Sequence, residues 1–194
     1  GVLMNYAFTN GKILDGTKDM QVQTGLCILV QDGTITDIVP DTADLSGYET
    51  IDLQGRYIMP GLINMHVHLA GNGKPQKKQR DNEKLVKKIM RSSLTRAVAY
   101  KMVSDFAKDE LLSGVTTIRT VGGLGSFDTR LRDEIAAGTK VGPRILAANE
   151  GISVPGGHMA GSVAIAAASI PEALAHLEQS KKEKVDLVKL MITG

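Results

Sequence analysis

His66 and His68 stand two apart in a run, Leu62-Ile63-Asn64-Met65-His66-Val67-His68-Leu69, that is otherwise mostly apolar. Spacing of two puts both imidazoles on one face of a β-strand. Two imidazoles are expensive to bury without partners. A shared divalent cation, about 2.0–2.1 Å from each nitrogen, would resolve that cost. Hydrogen bonds within the core are the alternative, but the glycine-rich stretch just after the run favours ligation.

Lys189 lies in residues 185–193, otherwise apolar apart from Asp186. Lysine is almost never fully buried unless paired. A buried amine loses its proton more readily and becomes nucleophilic. It can then add carbon dioxide to form a carbamate, a carboxylate-like group able to bridge two cations. A lysine that reaches solvent, or pairs with a carboxylate, is the other reading.

His158 sits in Pro155-Gly156-Gly157-His158-Met159-Ala160-Gly161. Glycines on both sides let the backbone approach a ligand closely, which suits a substrate contact. An incidental histidine on a surface loop is the alternative. Arg119, charged within the apolar run 116–121, could hold a substrate carboxylate through its bidentate fork or pair with a core carboxylate. His176, among Ala, Leu and Glu on a helix, reads as an ordinary partly exposed residue. Lysines 74, 77, 78, 84, 87 and 88 with Arg80 lack interleaved aromatics and read as a solvated face.

The elements that position these residues fall into two blocks, 1–59 and 60–194. In the first, residues 6–14, 26–31, 34–39, 49–53 and 56–59 are β-prone. Asp32-Gly33 and Gln54-Gly55 are turn signals, because these residues tolerate positive φ. A small antiparallel β unit is expected. After Pro60-Gly61 the pattern changes to strand 62–69, loop 70–80, helical spacing over 81–113 ended by Gly114, strand 115–121, helix 126–137, strand 144–149, loop 151–161, helix 171–184 and strand 186–193. Pro171 suits a first helical turn. Strand–helix–strand repeats give a parallel sheet. Four such strands are half of an eight-stranded barrel. No Gly-x-Gly-x-x-Gly follows a strand, and Gly122-Gly123-Leu124-Gly125 is too weak to use.

Composition narrows the function classes. The chain has 194 residues, 42% hydrophobic and 23% charged, with a net charge of +2, too small to suggest a nucleic-acid surface. There is no Trp, and only three Phe and four Tyr, so cores must be built from aliphatics. Cys27 is the only cysteine, which excludes an intrachain disulfide and fits a reducing compartment. Gly1 is followed by no basic n-region or apolar signal core, and no apolar run reaches the ~20 residues that span a bilayer. A cytoplasmic protein without membrane or nucleic-acid partners is expected.

Together, Pro60 to His68, Gly114-Val115-Thr116-Thr117-Ile118-Arg119, Gly156-Gly157-His158 and Val188-Lys189-Leu190-Met191-Ile192-Thr193-Gly194 resemble the amidohydrolase superfamily, in particular its imidazolonepropionase-like and Xaa-Pro or Xaa-Arg/Lys dipeptidase-like members. That resemblance implies a (β/α)₈ barrel preceded by a small β-sandwich. It implies metal ligands His66 and His68 from barrel strand 1 and carboxylated Lys189 from strand 4, with two zinc ions. The remaining ligands and a general-base aspartate are expected beyond residue 194, so the rest of the barrel is a required partner. A small-molecule or dipeptide-like substrate and a homo-oligomer are expected. The implied activity is hydrolysis of an amide or peptide-like C–N bond. A mononuclear cyclic-amide hydrolase or deaminase, and a non-catalytic barrel fragment serving assembly, are the alternatives. Asn64 stands where the family often has Asp, which bears on how the first histidines are oriented, and Thr120 stands where Asp is common after Arg119, which weakens a charge-pair reading there.

Overall fold

A computed structural model describes residues 4–71, 73 and 81–192. The chain divides into two compact units, Gly1–Pro60 and Gly61–Gly194.

In the first unit the strands are β1 (Asn5–Thr9), β2 (Lys12–Ile13), β3 (Leu26–Gln31), β4 (Thr34–Pro40), β5 (Glu49–Asp52) and β6 (Tyr57–Ile58). The hairpin β3–β4 closes on Gln31↔Thr34. Its turn residues, Asp32 at φ 50° and Gly33 at φ 75°, have the positive values a two-residue loop requires. The expected strand over 6–14 is two strands, because Asn10 takes φ 53° between them. The unit is mixed rather than antiparallel. The sheet order is β4-β3-β1-β5, with β1 and β5 parallel, and β2 and β6 form a second, parallel pair. An apolar hollow lined by Phe8, Ile28, Val30, Ile35 and Ile58 lies within this unit.

The second unit runs β7 (Leu62–Val67), α1 (Asn82–Met90), α2 (Ser93–Leu112), β8 (Val115–Thr120), α3 (Phe127–Ala136), β9 (Arg144–Leu146), β10 (Gly151–Ser153), β11 (Ala164–Ala166) and α4 (Ile170–Lys182). Strands β7, β8 and β9 form a parallel sheet in that order. A core of Val67, Leu69, Ala99, Val103, Ala107, Ile118, Leu131 and Ile145 joins α2 and α3 to it. Apolar burial of this kind is worth roughly 25 cal/mol per Å² and is what fixes the two helices on the sheet.

Several boundaries differ from expectation. The helical pattern over 81–113 is two helices, because Ser92 adopts extended geometry and caps α2 by accepting from Thr95 N at 3.2 Å. The strand expected over 144–149 ends at Leu146, and Asn149 is left-handed at φ 56°. The loop expected from 151 opens instead with strand β10. The last expected strand, 186–193, makes only a single bridge, Ile152↔Leu190, and Thr193 and Gly194 lie outside the described residues. The loop over 70–80 lies largely outside them too, as do Lys74, Lys77, Lys78 and Arg80. Strand β7 is not buried on both faces. Leu62, Ile63 and Met65 are 53%, 63% and 45% exposed, because β7 is an edge strand among the described residues. No described helix is long and apolar enough to cross a membrane.

Helix α4 begins with side-chain caps. Ser169 accepts from Glu172 N, the Glu172 carboxylate accepts from Ala168 N, and Pro171 occupies the first turn. The segment after α4 is held by side chains. Asp186 accepts from Ala147 N at 2.8 Å and from Arg132, while Arg132 also donates to Lys184 O. Exposed edges with apolar side chains template self-association. Expressed as residues 1–194, the chain is therefore expected to elute as polydisperse oligomers in light-scattering chromatography. A monomer that melts cooperatively would contradict this.

Candidate functional site

The site begins at an irregularity. Asn64 pairs with Ile118 and Val67 with Thr120, so β7 carries one more residue than β8 between those two pairs. Such a bulge leaves backbone groups without ladder partners and re-aims side chains. Two side chains close it. Asn64 Oδ1 accepts from His66 N at 3.2 Å, and Arg119 Nε donates to Met65 O at 2.8 Å. At position 64, therefore, the amide oxygen supplies the acceptor that a carboxylate would otherwise offer. Arg119 is engaged with the backbone beside the histidines, and its pairing with a core carboxylate is not what the structure shows.

His66 and His68 do converge. Their ring centroids are 5.2 Å apart and the planes cross at 70°. His66 is exposed, His68 half-buried. His68 Nδ1 lies 3.0 Å from the carbonyl oxygen of Gly122. A carbonyl only accepts, so Nδ1 carries the proton and Nε2 keeps its lone pair. Burial holds His68 below the usual histidine range, and the positive charges of His66, Lys189 and His158 add to that, against a smaller rise from the Gly122 contact. The ring is thereby kept neutral, the form that ligates.

Lys189 and His158 belong to the same electrostatic neighbourhood as His68. Lys189 is half-buried. Its carbonyl accepts from Ile152 N at 2.9 Å, and its side chain packs against Gly151, where an added Cβ would stand 3.3 Å from Cγ. His158 is exposed on the turn following β10. His176 lies elsewhere, its Nε2 donating to Glu150 O at 3.1 Å. Among the described residues, no three His, Cys, Asp or Glu side chains gather closely enough to hold a metal ion. The donors that fit one here are two imidazoles and an amine, which begin a coordination sphere without completing it.

Two polar groups that sequence reasoning passed over lie close by. Asp128, in the first turn of α3, is 1% exposed, and its Oδ2 has no hydrogen-bond partner among the described residues. Burial pushes its carboxyl up to about 6 from an ordinary 3.8, and the Thr120 hydroxyl offsets part of that rise. Asn149 donates to Thr129 Oγ1 and to the Glu183 carboxylate, and accepts from Thr129 N. An acid at a helix start is commonplace, so nothing in the sequence marked Asp128 as buried.

Comparisons with known proteins give the family. The model of the amidohydrolase family matches residues 57–194, and the chain belongs to that family. It is 34% identical over 113 residues to an imidazolonepropionase of Salmonella paratyphi A, covering 50% of this chain and 28% of that protein. It is 37% identical over 70 residues to a dihydroorotase of Trichlorobacter lovleyi, covering 36% of this chain and 16% of that protein. Among solved structures, a candidate prolidase from Bifidobacterium longum superposes with a TM-score of 0.75 at 31% identity, covering all of this chain and 42% of that one. A Xaa-Pro dipeptidase with bound methionine in its active site gives 0.71 at 29% identity, covering 96% and 46%. The chain thus spans less than half the length of each of these relatives.

Because the native chain binds the Asp128 proton more tightly than the unfolded chain does, this group's contribution to stability falls as pH rises from about 4 to about 6 and stays unfavourable above. Urea unfolding of Asp128→Asn and of the parent at pH 4 and pH 7 should show the difference moving toward the variant by up to about 3 kcal/mol. A difference that does not change with pH would contradict the burial of a titrating carboxyl.

Proposed function

We propose that the protein carrying this chain is a metal-dependent hydrolase that cleaves an amide or peptide-like C–N bond of a small molecule or dipeptide. The observation that carries this reading is the His68 ring, whose Nδ1 is held by Gly122 and whose Nε2 keeps its lone pair beside His66. Members of the amidohydrolase superfamily generally use divalent metals, and two zinc ions are the expected complement. His66 and His68 would hold the first. Lys189 would join it to a second after its neutral amine adds to carbon dioxide, forming an N–C bond and releasing a proton to solvent. When bound, such cations supply a water of lowered pKa and polarise the scissile carbonyl.

The chain's own residues set the stage for that chemistry. Asn64 and Arg119 close the bulge and so keep His66 and His68 aimed together. His158, exposed on its turn, would meet substrate, and Arg119 would offer it the guanidinium donors beyond the one given to Met65. A general-base aspartate is expected from the remaining half of the barrel. The lone, buried Cys27 suits a cytoplasmic setting.

Solved structures of a candidate prolidase and a Xaa-Pro dipeptidase superpose on 100% and 96% of the chain at 31% and 29% identity, which supports a dipeptide-like substrate as the first reading. A cyclic amide at a mononuclear site with unmodified Lys189 is placed second.

Full-length protein should contain divalent metal by mass spectrometry, lose hydrolysis of Xaa-Pro or Xaa-Arg dipeptides on chelation and regain it with zinc or manganese. His68→Ala should lower kcat/KM by more than about 100-fold, since disturbing groups outside the ligand shell already costs roughly 10–100-fold. Metal-free protein that zinc and manganese fail to activate on dipeptides or cyclic amides would sink this reading.

A further inference from the structure

We propose that Asp128 is a positioning residue for His68, acting through the peptide of Gly122 and Gly123. Its purpose rests on the hydrolase reading above, whereas its geometry does not. Gly122 has φ +134°, a value that glycine tolerates, and its carbonyl meets His68 Nδ1. A Cβ at 122 would stand 3.2 Å from the His68 ring. A Cβ at 123 would stand 2.8 Å from both the carboxyl carbon and Oδ1 of Asp128, and closer still to Oδ2. Two consecutive glycines thus lie against the two groups, His68 on one and Asp128 on the next.

The carboxyl is tied in turn to the end of β8 and to the segment after β9. Thr120, the last residue of β8, accepts from Ala148 N at 3.2 Å, which leaves its hydroxyl hydrogen for Asp128. An apolar side chain of similar size would fill the space without the cost of an orphaned buried oxygen. That cost points to what the carboxyl supplies: an acceptor for Thr120, held in the first turn of α3 where the helix dipole favours it. The loop carrying the His68 partner is therefore fixed by Asp128, not by its own glycine-rich sequence. A parallel arrangement recurs at the second candidate loop. Ser153 Oγ, also buried without a partner among the described residues, stands 2.6 Å from where a Cβ of Gly157 would lie, next to His158.

Selective ¹⁵N labelling of histidine in the full-length protein reads the His68 tautomer with or without metal. The parent and Asp128→Asn, which keeps the shape and an acceptor for Thr120, are expected to hold the Nδ1–H form. Asp128→Ala and Gly123→Ala are expected to lose it for a mixture of tautomers, with zinc bound about 10–100-fold more weakly. His176, anchored on Glu150 O, reports whether the rest of the unit is intact. An unchanged Nδ1–H signal in a folded Asp128→Ala or Gly123→Ala protein overturns the proposal, as does failure of Asp128→Asn to keep it. Gly123→Ala retains the Asp128 carboxyl but forces it off the glycine, so it decides the matter if Asp128→Ala does not fold. A parent that shows the Nδ1–H form but binds no zinc would remove the hydrolase reading and leave the positioning intact.

Discussion

The contact between His68 Nδ1 and the Gly122 carbonyl does more than hold a ring still. A neutral histidine ring can carry its proton on either of two inequivalent nitrogens, and ligation through Nε2 needs the Nε2–H form excluded. A carbonyl delivered from the end of the neighbouring strand excludes it, because that oxygen has only lone pairs to offer. The contact therefore couples the chemistry of β7 to the loop after β8, and whatever shapes that loop shapes the lone pair. Burial and the neighbouring positive charges act in the same direction by disfavouring a second proton.

The bulge in β7 shows the same economy on the backbone. An extra residue in a parallel pair orphans an amide and a carbonyl, and each would be costly if left dry. Here Asn64 takes the amide of His66, and Arg119 takes the carbonyl of Met65. A strand whose middle residues are half in water is thus held in a defined shape by polar side chains rather than by burial. The segment carrying Lys189 is handled likewise. Its ladder is reduced to a bridge at Leu190, and Asp186, Arg132 and Ala147 supply the anchoring that hydrogen-bonded strand pairing would otherwise give.

Family membership and geometry meet at these few residues. The family match starts at residue 57, just ahead of the His-x-His strand, and extends through Lys189. The first sixty residues form their own unit with their own mixed sheet. That unit lies almost wholly outside the matched region.

Much was legible in the residue order alone. The His-x-His pair, the lysine in an apolar run, the Asp-Gly hairpin, Pro171 in the first turn of α4 and the alternation of strand with helix are all local signals. They depend on spacing and on the conformational preferences of a few residue types, which act within one or two turns of chain. What only the tertiary structure decided is long-range. Ser92 broke one helical pattern into two, and the edge position of β7 exposed a run that reads as buried. The bulge gave Arg119 a backbone partner from a different strand. Asp128 looked like any acid at a helix start until the fold placed Gly123 upon it. Side-chain periodicity records which face a residue takes, but it carries no record of which carbonyl arrives from the next strand, and the tautomer of His68 depends on that arrival.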